Sequence, residues 1–210
     1  MKILVFSDSL ALPRTQPESC PHELTWPQKL RTLGHEVCLC AIGGATIDEL
    51  FKQTFYFQQS NEFELVLIQS GIVDCAPRFA RKIELKILRS IPWLGPQIIK
   101  RLNTPKLRKF RNLSYTPTKR FEKMLDNFES CFEVPVFFIE ILPAHPDYEK
   151  NLPGITQRIA AYNLLIQKKS HLTMEKFPSE GLMSDYHHLN ALGHQYIVDS
   201  IINIATHESL

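Results

Sequence analysis

Four short runs rich in Val, Ile, Leu and Phe, each followed by a turn or a helical pattern, constrain this chain more than any other feature. They are Lys2-Ile3-Leu4-Val5-Phe6, residues 36–42, Phe63-Glu64-Leu65-Val66-Leu67-Ile68 and residues 134–141. Runs that are apolar at nearly every position fit strands buried on both faces, and such strands belong to parallel sheets covered by helices. Between them lie helical signals. Residues 23–33 have helical character with Pro27 near the start and Gly34 as the stop. Thr46 and Glu49 stand at capping-box spacing before Ile47, Leu50 and Phe51. Longer patterns cover about 155–170 and 190–205, the latter with Ile197, Ile201 and Ile202 at three-to-four spacing. The expected fold is therefore α/β: a three-layer α/β/α sandwich around a mainly parallel sheet, formed by residues 1–210 as one domain.

Charge is distributed unevenly. From Arg78 to Lys123 the chain carries fourteen Lys/Arg against Glu84 and Glu122, a net of +12, whereas the rest sums to −10. The stretch 77–117 also holds Pro77, Pro92, Pro96, Pro105 and Pro117, and two amphipathic pieces, one with Ile83, Ile87, Leu88 and Ile91 and one with Ile98, Ile99 and Leu102. It reads as a basic helical insertion, a lid over the site. Three readings of its charge stay open: a solvated surface, a ligand site for an anionic glycan or lipid-linked sugar phosphate, or attachment of residues 78–123 to an anionic membrane surface. No nucleic-acid motif accompanies the charge, so no nucleic acid is expected.

No run reaches the roughly 18 apolar residues of a membrane span, and the N-terminal run lacks the length and cleavage site of a signal peptide. Cys20, Cys38, Cys40, Cys75 and Cys131 are odd in number and show no metal-ligand spacing, which points to packed thiols. A cytoplasmic protein is expected, soluble or peripheral to the inner membrane. No metal or organic cofactor is implied, and the oligomeric state is open.

Ligands of open α/β sheets bind beyond the carboxyl ends of the strands. Ser7-Asp8-Ser9-Leu10 follows the first strand, and Asp185-Tyr186-His187-His188-Leu189-Asn190 precedes the last helix. An Asp three residues before a His can orient the imidazole and stabilise the imidazolium formed when it takes a serine proton. Caps of a turn and of a helix would use the same residue types. His145, after the fourth strand, is a lesser candidate for the cleft. Trp26 and Pro27 read as helix packing, and Tyr162-Asn163 as structural.

Together these segments resemble the SGNH (GDSL-type) hydrolases, over nearly the whole chain. Ser7-Asp8-Ser9-Leu10 is similar to their Gly-Asp-Ser-Leu block, with Ser7 in place of glycine. Gly44-Ala45-Thr46 is similar to the second block, Gly71-Ile72-Val73-Asp74 to the Gly-x-Asn-Asp block, and Asp185-x-x-His188 to the last. The opening segment and residues 71–78 also look like a subgroup linked to bacterial surface polysaccharides. The resemblance implies a flavodoxin-like sheet and a triad of Ser9, His188 and Asp185, with the backbone N–H groups of Ser9 and Gly44 forming the oxyanion hole. Val73 stands where the family has an asparagine donor, and Arg78 is a candidate replacement. Asp74 and Arg78 are candidates for substrate binding, although Asp74 can equally tie loops together. The implied reaction is removal of acyl groups, acetyl above all, from a carbohydrate or other small ester. A sugar O-acyltransferase and a catalytically silent glycan-binding or assembly protein are the alternatives.

Overall fold

The computed structural model describes residues 1–57 and 62–207. β1 (Lys2–Ser7) leads through a tight turn to α1 (Trp26–Thr32), then β2 (Glu36–Ala41), α2 (Ile47–Phe51), β3 (Leu65–Gln69) and the single turn α3 (Ile72–Cys75). Three helices follow, α4 (Lys82–Arg89), α5 (Leu94–Leu102) and α6 (Pro105–Arg111), and then α7 (Thr118–Ser130) and β4 (Val136–Ile139). The chain ends with α8 (Pro146–Asn151), α9 (Ile155–Ile166), β5 (His171–Leu172) and α10 (Ala191–His207).

All strand pairs are parallel, in the order β2-β1-β3-β4-β5. This is the flavodoxin-like order, with its switch point between β1 and β3, where adjacent crossovers leave in opposite directions and open a crevice. α1 packs with α10, while α2, α7 and α9 pack together as the other helical layer. The sandwich expected from the apolar runs is the fold observed.

Burial explains the runs. Ile3, Leu4, Val5 and Phe6 of β1 are all fully buried, so neither face of that strand requires polar alternation. Phe6 meets Phe128 of α7 at 5.5 Å and Phe57 at 5.7 Å, and Phe51 closes on Phe128 at 5.2 Å. The capping box at Thr46 and Glu49 is present. α1 starts later than the helical spacing suggests: His22–Leu24 is a separate 3-10 turn, and the helix begins at Trp26 with Pro27 in its first turn, where a missing N–H costs nothing. The single turn α3, α7, α8 and β5 are additions to the expected order.

The basic segment holds three helices instead of two amphipathic pieces. An antiparallel bridge between Arg78 and Leu113 closes its neck, and its small core of Phe79, Ala80 and Leu85 is separate from the main one. Among the described residues no helix is long and apolar enough to cross a membrane.

Phe128→Ala removes a fully buried ring that touches two strand and helix partners, so it is expected to lower the unfolding free energy by about 3–5 kcal/mol, read from the denaturant midpoint.

Candidate active site

Ser9 opens a 3-10 turn directly after β1, and Asp8 caps that turn by accepting the Leu10 N–H at 2.9 Å. At the other end of the chain, residues 183–190 fold into a compact loop before α10. The Met183 N–H donates to the His188 carbonyl at 2.8 Å. Asn190 caps the helix by accepting the Leu192 and Gly193 N–H groups, and its amide donates to the Glu180 and Leu182 carbonyls. A Cβ on Gly193 would lie 2.2 Å from the Gly181 carbonyl oxygen, so only glycine lets the first turn of α10 press onto this loop.

That loop delivers His188 to Ser9. His188 Nε2 is 3.0 Å from Ser9 Oγ, and His188 Nδ1 is 2.6 Å from Asp185 Oδ2. The other carboxylate oxygen of Asp185 accepts the N–H groups of His187 and His188. A carboxylate on Nδ1 selects the tautomer whose Nε2 lone pair faces the serine. Burial and then the neighbouring His187 pull the His188 pKa down to about 4, against the raising effect of Asp185. The imidazole is therefore neutral near pH 7 and free to accept a proton. Burial alone would raise Asp185, but hydrogen bonds from His188 outweigh it and hold the carboxyl below its ordinary value.

Ser9, Gly43, Gly44, Val73, Arg78, Tyr115 and His188 share the rim of a cleft of about 410 Å³ with Arg14, Ile72, Tyr148 and His187. The N–H groups of Ser9 and Gly44 have no acceptor among the described residues. Arg78 donates from Nη2 to the Val73 carbonyl at 2.8 Å and lies over the Tyr115 ring at 4.3 Å, while its Nε is buried and unpartnered among the described residues. From the insertion, neck residues enter the cleft, but no residue of α4, α5 or α6 is among its lining.

Of the two candidates for substrate contact, Arg78 borders the cleft and Asp74 does not. Asp74 is fully buried, and its carboxylate accepts the Ile47 N–H, the Ser70 hydroxyl at 3.4 Å and the Thr116 hydroxyl. Its acceptors are consumed by three loops, so it serves as a strut and not as a substrate contact. His145 also stands away from the cleft, capping α8 and stacking on Tyr186 at 4.5 Å. Ser7 donates to Gln69 inside the protein, beside the Trp26 indole, which donates to the same oxygen. The Tyr162 hydroxyl donates to the Thr116 carbonyl, and the Asn163 side chain bonds Ile141 on both backbone groups, so both are structural.

Arg14, Tyr115 and Tyr148 line the cleft without any sequence motif that points to them. Arg14 and Tyr115 reach the cleft from loops and Tyr148 from α8, and no local spacing marks them. Asp185, His187 and His188 are close enough together to hold a metal ion, but Asp185 and His188 are already committed to each other, and His187 Nδ1 sits against the Asp185 carbonyl.

No protein-family model matches the chain, and no curated protein matches it by sequence. Solved structures do. A lipase/acylhydrolase from Enterococcus faecalis superposes with a TM-score of 0.66 at 15% identity, covering 97% of this chain and 94% of that one. A G-D-S-L family lipolytic protein from Veillonella parvula gives 0.63 at 10% identity, with 99% of each chain covered. A carbohydrate acetylesterase from Sinorhizobium meliloti gives 0.56 at 16% identity, covering 97% of this chain and 98% of that one. The chain thus has the α/β fold of the G-D-S-L lipolytic proteins and acylhydrolases.

Beneath the site, Asp8 is fully buried with Oδ2 unpartnered among the described residues, and burial, reinforced by Asp74, pushes its pKa up to about 7. An unfolded aspartate titrates near 3.9, at about pH 4. Below that pH both states are protonated and Asp8 costs nothing; above it the unfolded chain ionises first, and the native state loses stability until about pH 7. Asp8→Asn is therefore expected to raise Tm by several degrees at pH 8, with the gain vanishing towards pH 4 in paired thermal melts.

Proposed function

We propose that the chain is a serine ester hydrolase of the SGNH type that removes acyl groups, acetyl above all, from a carbohydrate or another small polar ester. The observation that carries this reading is the continuous relay Asp185–His188–Ser9 at the switch point of the sheet. The likeness to a carbohydrate acetylesterase supports the substrate class. The cleft supports it too: its volume suits a small acyl group and part of a sugar, and the tyrosines Tyr115 and Tyr148 are among its lining.

In this reading His188 Nε2 takes the Ser9 proton as Oγ attacks the ester carbonyl, with Asp185 stabilising the imidazolium. The Ser9 and Gly44 N–H groups hold the oxyanion. Collapse of the tetrahedral adduct breaks the bond to the alcohol, which leaves with the proton from His188 and gives an acyl-Ser9 ester. Water, deprotonated by His188, then attacks that ester; the acid is released and Ser9 recovers its proton. Val73 offers no side-chain donor to the oxyanion. Arg78, clasping the Val73 carbonyl beside the cleft, supplies positive charge in its place.

The test is acetate release from O-acetylated sugars. Ser9→Ala and His188→Ala are expected to lose at least about 10³-fold in kcat, and Asp185→Asn about 10²–10⁴-fold. Because the neutral imidazole is the working form, kcat/KM should rise as pH passes about 4 and level off below neutrality. Wild-type activity that survives Ser9→Ala would overturn the reading.

A further inference from the structure

We propose that the α4–α6 insertion is a docking surface for an anionic phospholipid bilayer, with Trp93 at its tip as the inserting side chain. Three observations converge on this. First, large apolar side chains are left in solvent: Trp93 is 88% exposed and Phe110 86%, and Ile83, Ile87 and Leu94 are each more than half exposed. Isolated exposed apolar residues are ordinary, but here they are concentrated in one short insertion. Ile83 and Ile87 are one turn apart on α4 and so share a helix face.

Second, the backbone holds Trp93 outward. It has φ 67°, a left-handed conformation unfavourable for a bulky residue, at the turn between α4 and α5. The two helices meet there so closely that a Cβ on Gly95 would lie 1.9 Å from the Leu88 carbonyl oxygen. The tip is thus a packed hairpin that presents an indole instead of folding over it.

Third, the surrounding charge matches anionic headgroups. Lys86, Arg89, Lys100, Arg101, Lys106 and Lys109 are exposed and form no ion pair among the described residues. Glu84, the acid within these helices, is already taken by Arg111, and Lys82 pairs with Glu49 of the body. An acidic glycan would satisfy the cations and can stack on an exposed ring, but it leaves the aliphatic Ile83, Ile87 and Leu94 in water, whereas a bilayer with anionic lipids covers both kinds of group. The neck that carries Arg78 and Tyr115 joins this surface to the cleft.

Trp26, the other tryptophan, is fully buried, so a change in intrinsic emission on docking reports Trp93. The experiment titrates the full chain with vesicles of equal phosphatidylcholine and phosphatidylglycerol, and with phosphatidylcholine alone, following emission and co-sedimentation. Expected are a blue shift and co-sedimentation on anionic vesicles, both lost at about 1 M salt and both absent on phosphatidylcholine. Trp93→Ser should abolish the shift. Joint replacement of Lys86, Lys100, Arg101 and Lys109 by Glu should weaken binding by roughly tenfold or more. Circular dichroism establishes that each variant is folded. Wild type that neither shifts nor sediments on anionic vesicles overturns the proposal, as does sedimentation without a shift. A shift that grows with protein concentration in the absence of vesicles also overturns it, because a second copy then covers the tip. None of these readouts depends on Ser9.

Discussion

One buried carboxylate, that of Asp74, ties the walls of the cleft together. It accepts the Ile47 N–H, three residues beyond Gly44, and the Ser70 hydroxyl from its own loop. It also accepts the Thr116 hydroxyl, where the chain returns from the basic insertion. Its own carbonyl takes the Tyr115 N–H at 3.1 Å. Loops after β2 and β3 and the neck of the insertion are thereby held in one arrangement. Burial raises the Asp74 pKa to about 6, a cost offset by this set of donors. Gly44, Val73 and Arg78 border one cleft, and the loops that carry Gly44 and Val73 are both tied to this group.

The sheet supplies the other half of the arrangement. Parallel strands put every strand-to-helix loop at the same edge, and the β1/β3 switch point parts the loops that carry Ser9 and residues 70–74. The histidine loop then crosses from the far end of the chain. It is held by Asn190, by the Gly181–Gly193 contact and by the His194 ring, whose Nδ1 accepts the Trp26 N–H at 3.2 Å. A buried neutral histidine with its pKa near 4 suits that acceptor role.

Much of this was legible in the sequence. β1, β3 and β4 are apolar at nearly every position because both faces are covered, the edge strand β2 is only half-buried, and the Thr46–Glu49 cap is a local pair. The Asp185–His188 spacing is local too, and it fixes a ring orientation from within one loop. What depends on distant partners was not legible. β5 is two residues long and exists through its pairing with β4. Asp74 sits in a segment that reads as part of the site, and its true partners lie 27 and 42 residues away. Tyr115, Tyr148 and Arg14 enter the cleft only because two loops and the short helix α8 converge there. The insertion was legible from charge and proline content, but its third helix carries just Leu107 and Phe110 as apolar residues and has no pattern to announce it.

The central claim is that the Asp185–His188 relay activates Ser9. Reaction with a small fluorophosphonate, followed by intact mass, tests it without a known substrate. The account predicts a single adduct on the wild-type chain, mapped to Ser9, and none on folded Ser9→Ala. An unmodified wild-type protein, or an adduct that persists in Ser9→Ala, would contradict it.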